Sequence, residues 1–186
     1  MTLLLAVLTP FLGAPLIAWI SRGNRSAAAW GAGLVALVPV VLLAAIVTPV
    51  LAGETLVQRI GLLVILYARY YLSERDSLGR LYSYLLLFMG SMLGVVLSEN
   101  LIQLLIFWEL TSLSSFLLIG YWKEREEARQ GARMALAITG AGGLALLGGI
   151  LLLGEITGSY ELTVILASGD LIRAHPLYLP TLILVL

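Results

Sequence analysis

The residue best placed to do chemistry is Glu109, because LIQLLIFWELTSLSSFLLIGYW, residues 101–122, holds no other charged side chain. A helix of that length is roughly 33 Å long at 1.5 Å per residue, enough to cross a hydrocarbon core of about 30 Å. At that rise Glu109 lies about 14 Å from the Asn100 end, deep in the apolar slab. A charge there costs about 3 kcal/mol on the lenient insertion scale, and burial favours the neutral, protonated form of a carboxyl. The chemistry expected of Glu109 is therefore proton uptake and release.

At about 100° per residue, Ser112 falls one turn beyond Glu109 and shares its face with Ile102, Leu105, Ile106, Leu113 and Phe116. The opposite side gathers Gln103, Thr111, Ser114 and Ser115, whose small or amide side chains suit close packing or hydrogen bonding against another membrane helix. Trp108 is too deep for an interfacial aromatic belt and is read as packing. The helix is expected inside a bundle, with Glu109 facing a neighbouring helix or a wet cavity. A competing reading makes Glu109 only a hydrogen-bonding link between helices; it is the less favoured one, because intramembrane acids are functional by default.

Composition sets the elements that must hold this residue. Charged residues make up 12% of the chain against a usual value of about 25%, hydrophobic residues make up 60%, and the mean hydropathy is +1.01. These values indicate an integral, multi-pass membrane protein in contact with lipid. Eleven basic and eleven acidic residues cancel, so no nucleic-acid partner is implied. Without cysteine there are no disulfides, thiolate metal sites or Cys nucleophiles, and with one histidine a transition-metal site would need an unusual ligand set. No cofactor and no redox chemistry are expected of this chain.

The predicted fold class is all-α, a polytopic transmembrane helix bundle of about six spans plus the start of a seventh, with its N-terminus outside. Positive charge follows the first apolar run, at Arg22 and Arg25, rather than preceding it, which reads as an uncleaved first span with Pro10 and Pro15 as places to kink. Residues 26–53 supply a second span. Only nine uncharged residues, IGLLVILYA, separate Arg59 from Arg69, too few to cross. That third span is expected either to be a short, snorkelling helix or, as the preferred reading, to have lost residues between Arg59 and Ile60. Leu81 to Ser98 gives the fourth span, with Gly90, Gly94 and Ser98 spaced as a packing groove. The fifth is the Glu109 helix, ending in Tyr121 and Trp122 as interfacial anchors. Met134 to Gly154 is the sixth, where the GAGG and GG steps allow close backbone approach and also permit a local break. Glu155 to His175 is polar enough to lie outside the core, and the apolar run from Pro176 to Leu186 reads as the start of a further span in a truncated chain.

Alternating crossings from an outside N-terminus put Arg22, Arg25, Arg69, Arg75, Arg80, Lys123, Arg125, Arg129 and Arg133 inside, nine of the eleven basic residues. Only Arg59 and Arg173 remain outside, so the charge distribution supports the alternation, the short third crossing included. Glu99, Glu155 and Asp170 then sit outside, where they either edge an ion entrance or are ordinary solvated charges. His175 reads as an exposed loop residue ahead of a proton relay, and KEREEAR, residues 123–129, as a mixed-charge loop or helix end in which Glu124, Glu127 and Arg129 pair for little net stability.

FWELTSLSSFLLIGYW, residues 107–122, resembles the large A-type component of the multisubunit Mrp cation/proton antiporters, relatives of the proton-pumping antiporter-like subunits of respiratory NADH:quinone oxidoreductase. The likeness extends through ILYARYYLS, residues 65–73, and ASGDLIRAHPLY, residues 167–178. The resemblance implies that residues 1–186 are the N-terminal part of one antiporter-like transmembrane domain. It implies a proton site at Glu109, beside which Ser112, Trp108, Thr111 and Ser115 are read from the helix itself as supporting residues; it also implies transport of H⁺ with Na⁺, other subunits of a hetero-oligomeric antiporter complex as partners, and a cell (inner) membrane location. A proton-translocating subunit of an NADH:quinone oxidoreductase-type complex is the alternative. The lysine that the family pairs with this glutamate has no counterpart here: the single lysine, Lys123, falls in an inside loop.

Overall fold

The computed structural model describes residues 2–20, 25–46, 67–68, 70–73 and 76–186. Among the described residues it is all-α, with one isolated bridge between Asn100 and Glu161 in place of any sheet. The helices are α1 (Thr2–Ile20), α2 (Arg25–Ile46), α3 (Leu78–Leu97), α4 (Leu101–Ile119), α5 (Glu126–Thr157), α6 (Leu162–Ala167), α7 (Gly169–Ala174) and α8 (Tyr178–Val185). Three of them, α3, α4 and α5, are long and apolar enough to cross a membrane; Leu4–Ile20 and Ser26–Leu42 are shorter apolar helical stretches. Of the third expected span, between Arg59 and Arg69, only Tyr67 and Ala68 are among the described residues.

Two compact units divide the chain within α3, residues 1–93 and 94–186. In the first, α1 and α2 lie along one another because small residues let them approach: a Cβ on Gly13 would overlap the Val35 side chain, and one on Gly31 would reach the Ile17 terminus at 2.8 Å. The helix α1 runs through Pro10 and Pro15, and Pro10 is fully buried. Gly90 of α3 receives Phe11 and Pro10, and the buried Ser83 hydroxyl donates to the Ala14 carbonyl at 2.7 Å. The small-residue groove expected on α3 is thus filled at Gly90 by α1.

In the second unit Gly94 accepts the Phe107 ring of α4, and the buried Ser98 hydroxyl donates to the Gly94 carbonyl at 2.5 Å. The helix α4 starts at Asn100, whose side-chain oxygen accepts from the backbone N–H of Ile102 (2.9 Å) and Gln103 (3.4 Å), the usual way to satisfy orphan donors of a first turn. It stops at Gly120, so Tyr121 and Trp122 stand past its end. Tyr121 is buried, and Trp122 stacks edge-on against it with the Arg125 guanidinium 4.9 Å over its indole.

At about 48 Å, α5 is longer than a bilayer core and runs without a break through both glycine clusters. It begins eight residues ahead of the expected Met134, because Glu126 and Glu127 suit a helix N-terminus and nothing before Gly158 stops it. Gly158 closes it at φ 71°, a left-handed conformation that glycine adopts freely, and its N–H donates to Gly154 O at 2.8 Å. The Glu155–His175 segment is therefore more ordered than a polar connection: its first three residues finish α5, and the apolar run Leu162–Ala167 folds as α6, followed by α7. The surface pairing expected of Arg129 takes another form. Its guanidinium donates to the carbonyls of Lys123 (2.8 Å) and Glu124 (3.5 Å), closing the turn ahead of α5.

Candidate functional site

The site lies on the seam between α4 and α5, which pack antiparallel within the second unit. Two devices fix their register. At one end the α3–α4 turn is clasped to the α5–α6 connection: Leu101 N donates to Tyr160 O (2.8 Å), Leu162 N to Glu99 O (2.7 Å), and Asn100 Nδ2 to Glu161 Oε1 (2.9 Å). The Tyr160 ring rests on Gly154, where a Cβ would fall within 2.8 Å of its hydroxyl. Along the seam, α5 exposes glycine backbone to α4 on one side and to Leu184 and Val185 of α8 on the other.

Glu109 is half-buried and points at α5, and a Cβ on the buried Gly143 would coincide with its Oε1 and lie 2.7 Å from Cδ. The carboxyl is thus laid against the bare backbone of the facing helix. Its Oε1 is buried without a hydrogen-bond partner among the described residues. Buried polar atoms are nearly always paired, and one that is not marks a place where function has overridden stability or where another group completes the site.

One turn along the seam, toward Trp122, lies a half-open cavity of about 240 Å³ lined by Trp108, Thr111, Ser112, Ser115, Phe116 and Ile119 of α4 and by Ala135 and Thr139 of α5. All four residues expected to support Glu109 line it: Trp108, Thr111, Ser112 and Ser115. Thr111 Oγ1 donates to Trp108 O at 2.6 Å, Ser112 Oγ to the same carbonyl at 3.4 Å, and Thr139 Oγ1 to Ala135 O at 2.9 Å. Each hydroxyl spends its proton on its own helix and keeps acceptor lone pairs, so the wall offers oxygen atoms to water or to a protonated carrier. The volume is ample for several waters, and the hydroxyls of Thr111, Ser112, Ser115 and Thr139 are the polar groups in an otherwise apolar wall.

Trp108, expected to pack, is 46% exposed and lines the cavity. Ser114 is buried and donates to Leu110 O (2.8 Å) and Thr111 O (3.0 Å), so it belongs to the helix rather than to the cavity. His175 is half-buried: its Nδ1 accepts from Leu177 N at 3.2 Å and shapes the turn between α7 and α8. Glu99, Glu155 and Asp170 are exposed, and Asp170 faces Arg173 at 3.7 Å. Among the described residues no three His, Cys, Asp or Glu side chains converge. Gly143 and Thr139 are the members of the site that sequence reasoning passed over. The GAGG step signalled close approach of a backbone, but periodicity alone could not say that the group approaching it is a carboxyl.

Comparison with known proteins bears on this unit directly. Residues 98–185 match the family described as NADH:quinone oxidoreductase/Mrp antiporter, TM, a stretch that begins at the α3–α4 turn and contains Glu109 and the whole cavity. The chain is 47% identical, over 97% of its length, to a Rhizobium meliloti protein named as the probable A/B component of a K(+)/H(+) antiporter, of which it covers 21%. It is 54% identical over 67% of its length to the A component of the Na(+)/H(+) antiporter of Bacillus subtilis and 53% over 70% to that of Alkalihalophilus pseudofirmus, covering 16% of each. It thus spans about a fifth or less of the length of these relatives. Over residues 98–185 the chain is thus similar to the NADH:quinone oxidoreductase/Mrp antiporter transmembrane family, and over nearly all of its length it is similar to part of an A-type component of a cation/proton antiporter.

Proposed function

We propose that this chain is part of a multi-pass membrane component of a multisubunit monovalent cation/proton antiporter, with Glu109 as its proton carrier. The observation that carries the reading is the Glu109 carboxyl set in the α4–α5 seam with a buried, unpartnered oxygen, one turn from a cavity walled by Thr111, Ser112, Ser115 and Thr139. A carboxyl so placed exchanges its proton with water in that cavity. A positive charge brought near favours its ionised form, and withdrawal of that charge favours protonation, so coupling to cation movement needs only that the charge shift position. Trp108 lines the cavity, and the hydroxyls orient the water.

Sodium is the cation assigned here, while the relatives' names divide between sodium and potassium. The protein works as a secondary transporter rather than an enzyme, together with other subunits in the cell membrane, with about six spans and the N-terminus outside. Residues 1–186 form part of one antiporter-like domain. The alignment with the Rhizobium meliloti relative runs over 208 positions against 186 residues here, so at least 22 of its positions face no residue of this chain. That is compatible with residues missing from within the chain, a gap we place between Arg59 and Ile60.

Glu109→Gln keeps the shape and removes the titrating group. In everted membrane vesicles holding the complete complex, this change is expected to abolish cation-driven proton movement while leaving assembly intact, and full pH-dependent exchange by the variant would defeat the assignment. The family's other branch, a proton-pumping subunit of an NADH:quinone oxidoreductase-type complex, is favoured instead if flavin and iron-sulfur subunits copurify with the chain.

A further inference from the structure

We infer that Gly143 positions the Glu109 carboxyl, and that the absence of a side chain at residue 143 is a requirement of the proton site rather than of helix packing. The inference rests on the reading of Glu109 as the proton carrier and deepens it.

The glycines of α5 differ in what they face. A Cβ on Gly140 or Gly142 would meet nothing within 4 Å, and Cβ atoms on Gly148 and Gly149 would meet Leu184 and Val185 of α8. The three atoms nearest a Cβ on Gly143 all belong to Glu109: Oε1, Cδ and, at 3.4 Å, Oε2. The atoms in the way are the far end of a flexible side chain, not backbone, so a methyl group at residue 143 is accommodated by moving the carboxyl and not by separating α4 from α5. Oε1 has no hydrogen-bond partner among the described residues, and the notch at Gly143 shapes the place it occupies. Gly143 therefore acts through Glu109: the bare backbone lets the carboxyl lie in the seam, screened on one side, with the cavity a turn away at Ser112 and Thr139.

The test uses the complete complex in everted vesicles, with proton movement followed across pH and each rate divided by the amount of assembled complex. Gly143→Ala is expected to assemble as the parent does and to shift the pH profile of proton movement away from the parent's. Glu109→Asp withdraws the carboxyl by one methylene, so the double variant Gly143→Ala/Glu109→Asp is expected to lie closer to the parent than Gly143→Ala alone, a coupling that independent sites do not show. Gly142→Ala, facing open space, is expected to match the parent. An unshifted profile in Gly143→Ala overturns the inference, as does a double variant no better than the single. Loss of assembly in Gly143→Ala that Glu109→Asp does not restore also overturns it, because the glycine then serves packing. Failure of the underlying reading is separate and shows as full exchange by Glu109→Gln.

Discussion

Glu109→Met separates a carboxyl that carries protons from one that joins helices. Methionine is close in length and volume to glutamate, so the notch at Gly143 stays filled, and what changes is the removal of a polar oxygen that is buried without a partner among the described residues. Leaving such an atom unsatisfied costs about 1–3 kcal/mol, whereas replacing it by an apolar group of the same shape is neutral or stabilising. Because Glu109 is half-buried and only Oε1 is orphaned, the gain expected lies at the lower end, about 1 kcal/mol, or roughly a fivefold shift of the unfolding equilibrium. Exchange activity should vanish in the same variant, the usual opposition between stability and a functional group held where it is unsatisfied. The assay is denaturant or thermal unfolding of the purified complex in detergent, with assembly checked by gel filtration and proton movement measured after reconstitution. If Glu109→Met instead loses more than about 1 kcal/mol or fails to assemble, the carboxyl has a partner that holds the bundle together, and the scaffolding reading replaces the transport one.

Other outcomes follow from the same seam. Asn100→Ala should cost about 1 kcal/mol through the lost cap and a few tenths more through the bond to Glu161, while Asn100→Ser should recover the cap alone; equal stability of the two variants in unfolding experiments would show that the cap contributes nothing. Ala135→Leu places a branched side chain in the cavity beside Thr139 and should slow exchange severalfold without moving its pH profile, and a parental rate in assembled complexes would take the cavity off the proton's route.

How much could be read in advance differs from helix to helix. The helix after Asn100 and the place of Glu109 near its middle follow from local order, since each depends on residues within a turn or two. Sequence reasoning starts this span at Met134 and reads KEREEAR as a loop or helix end, whereas acidic residues in a first turn are compatible with a helix that extends beyond the lipid. The short helices α6 and α7 are not legible in the sequence, because six residues are too few for periodicity to register.

The sequence by itself determined that the chain is membrane-embedded and helical, and that one acid is stranded far from either end of an apolar helix, because hydropathy and residue type are properties of single positions and short windows. Only the tertiary structure decided what that acid touches. The antiparallel register of α4 and α5, fixed by the clasp at Asn100, Tyr160 and Glu161, brings Gly143 opposite Glu109 and Thr139 opposite Ser112. A shift of one turn along the seam would put the carboxyl against Thr139 or Leu147 instead, and no local pattern in either helix distinguishes those registers.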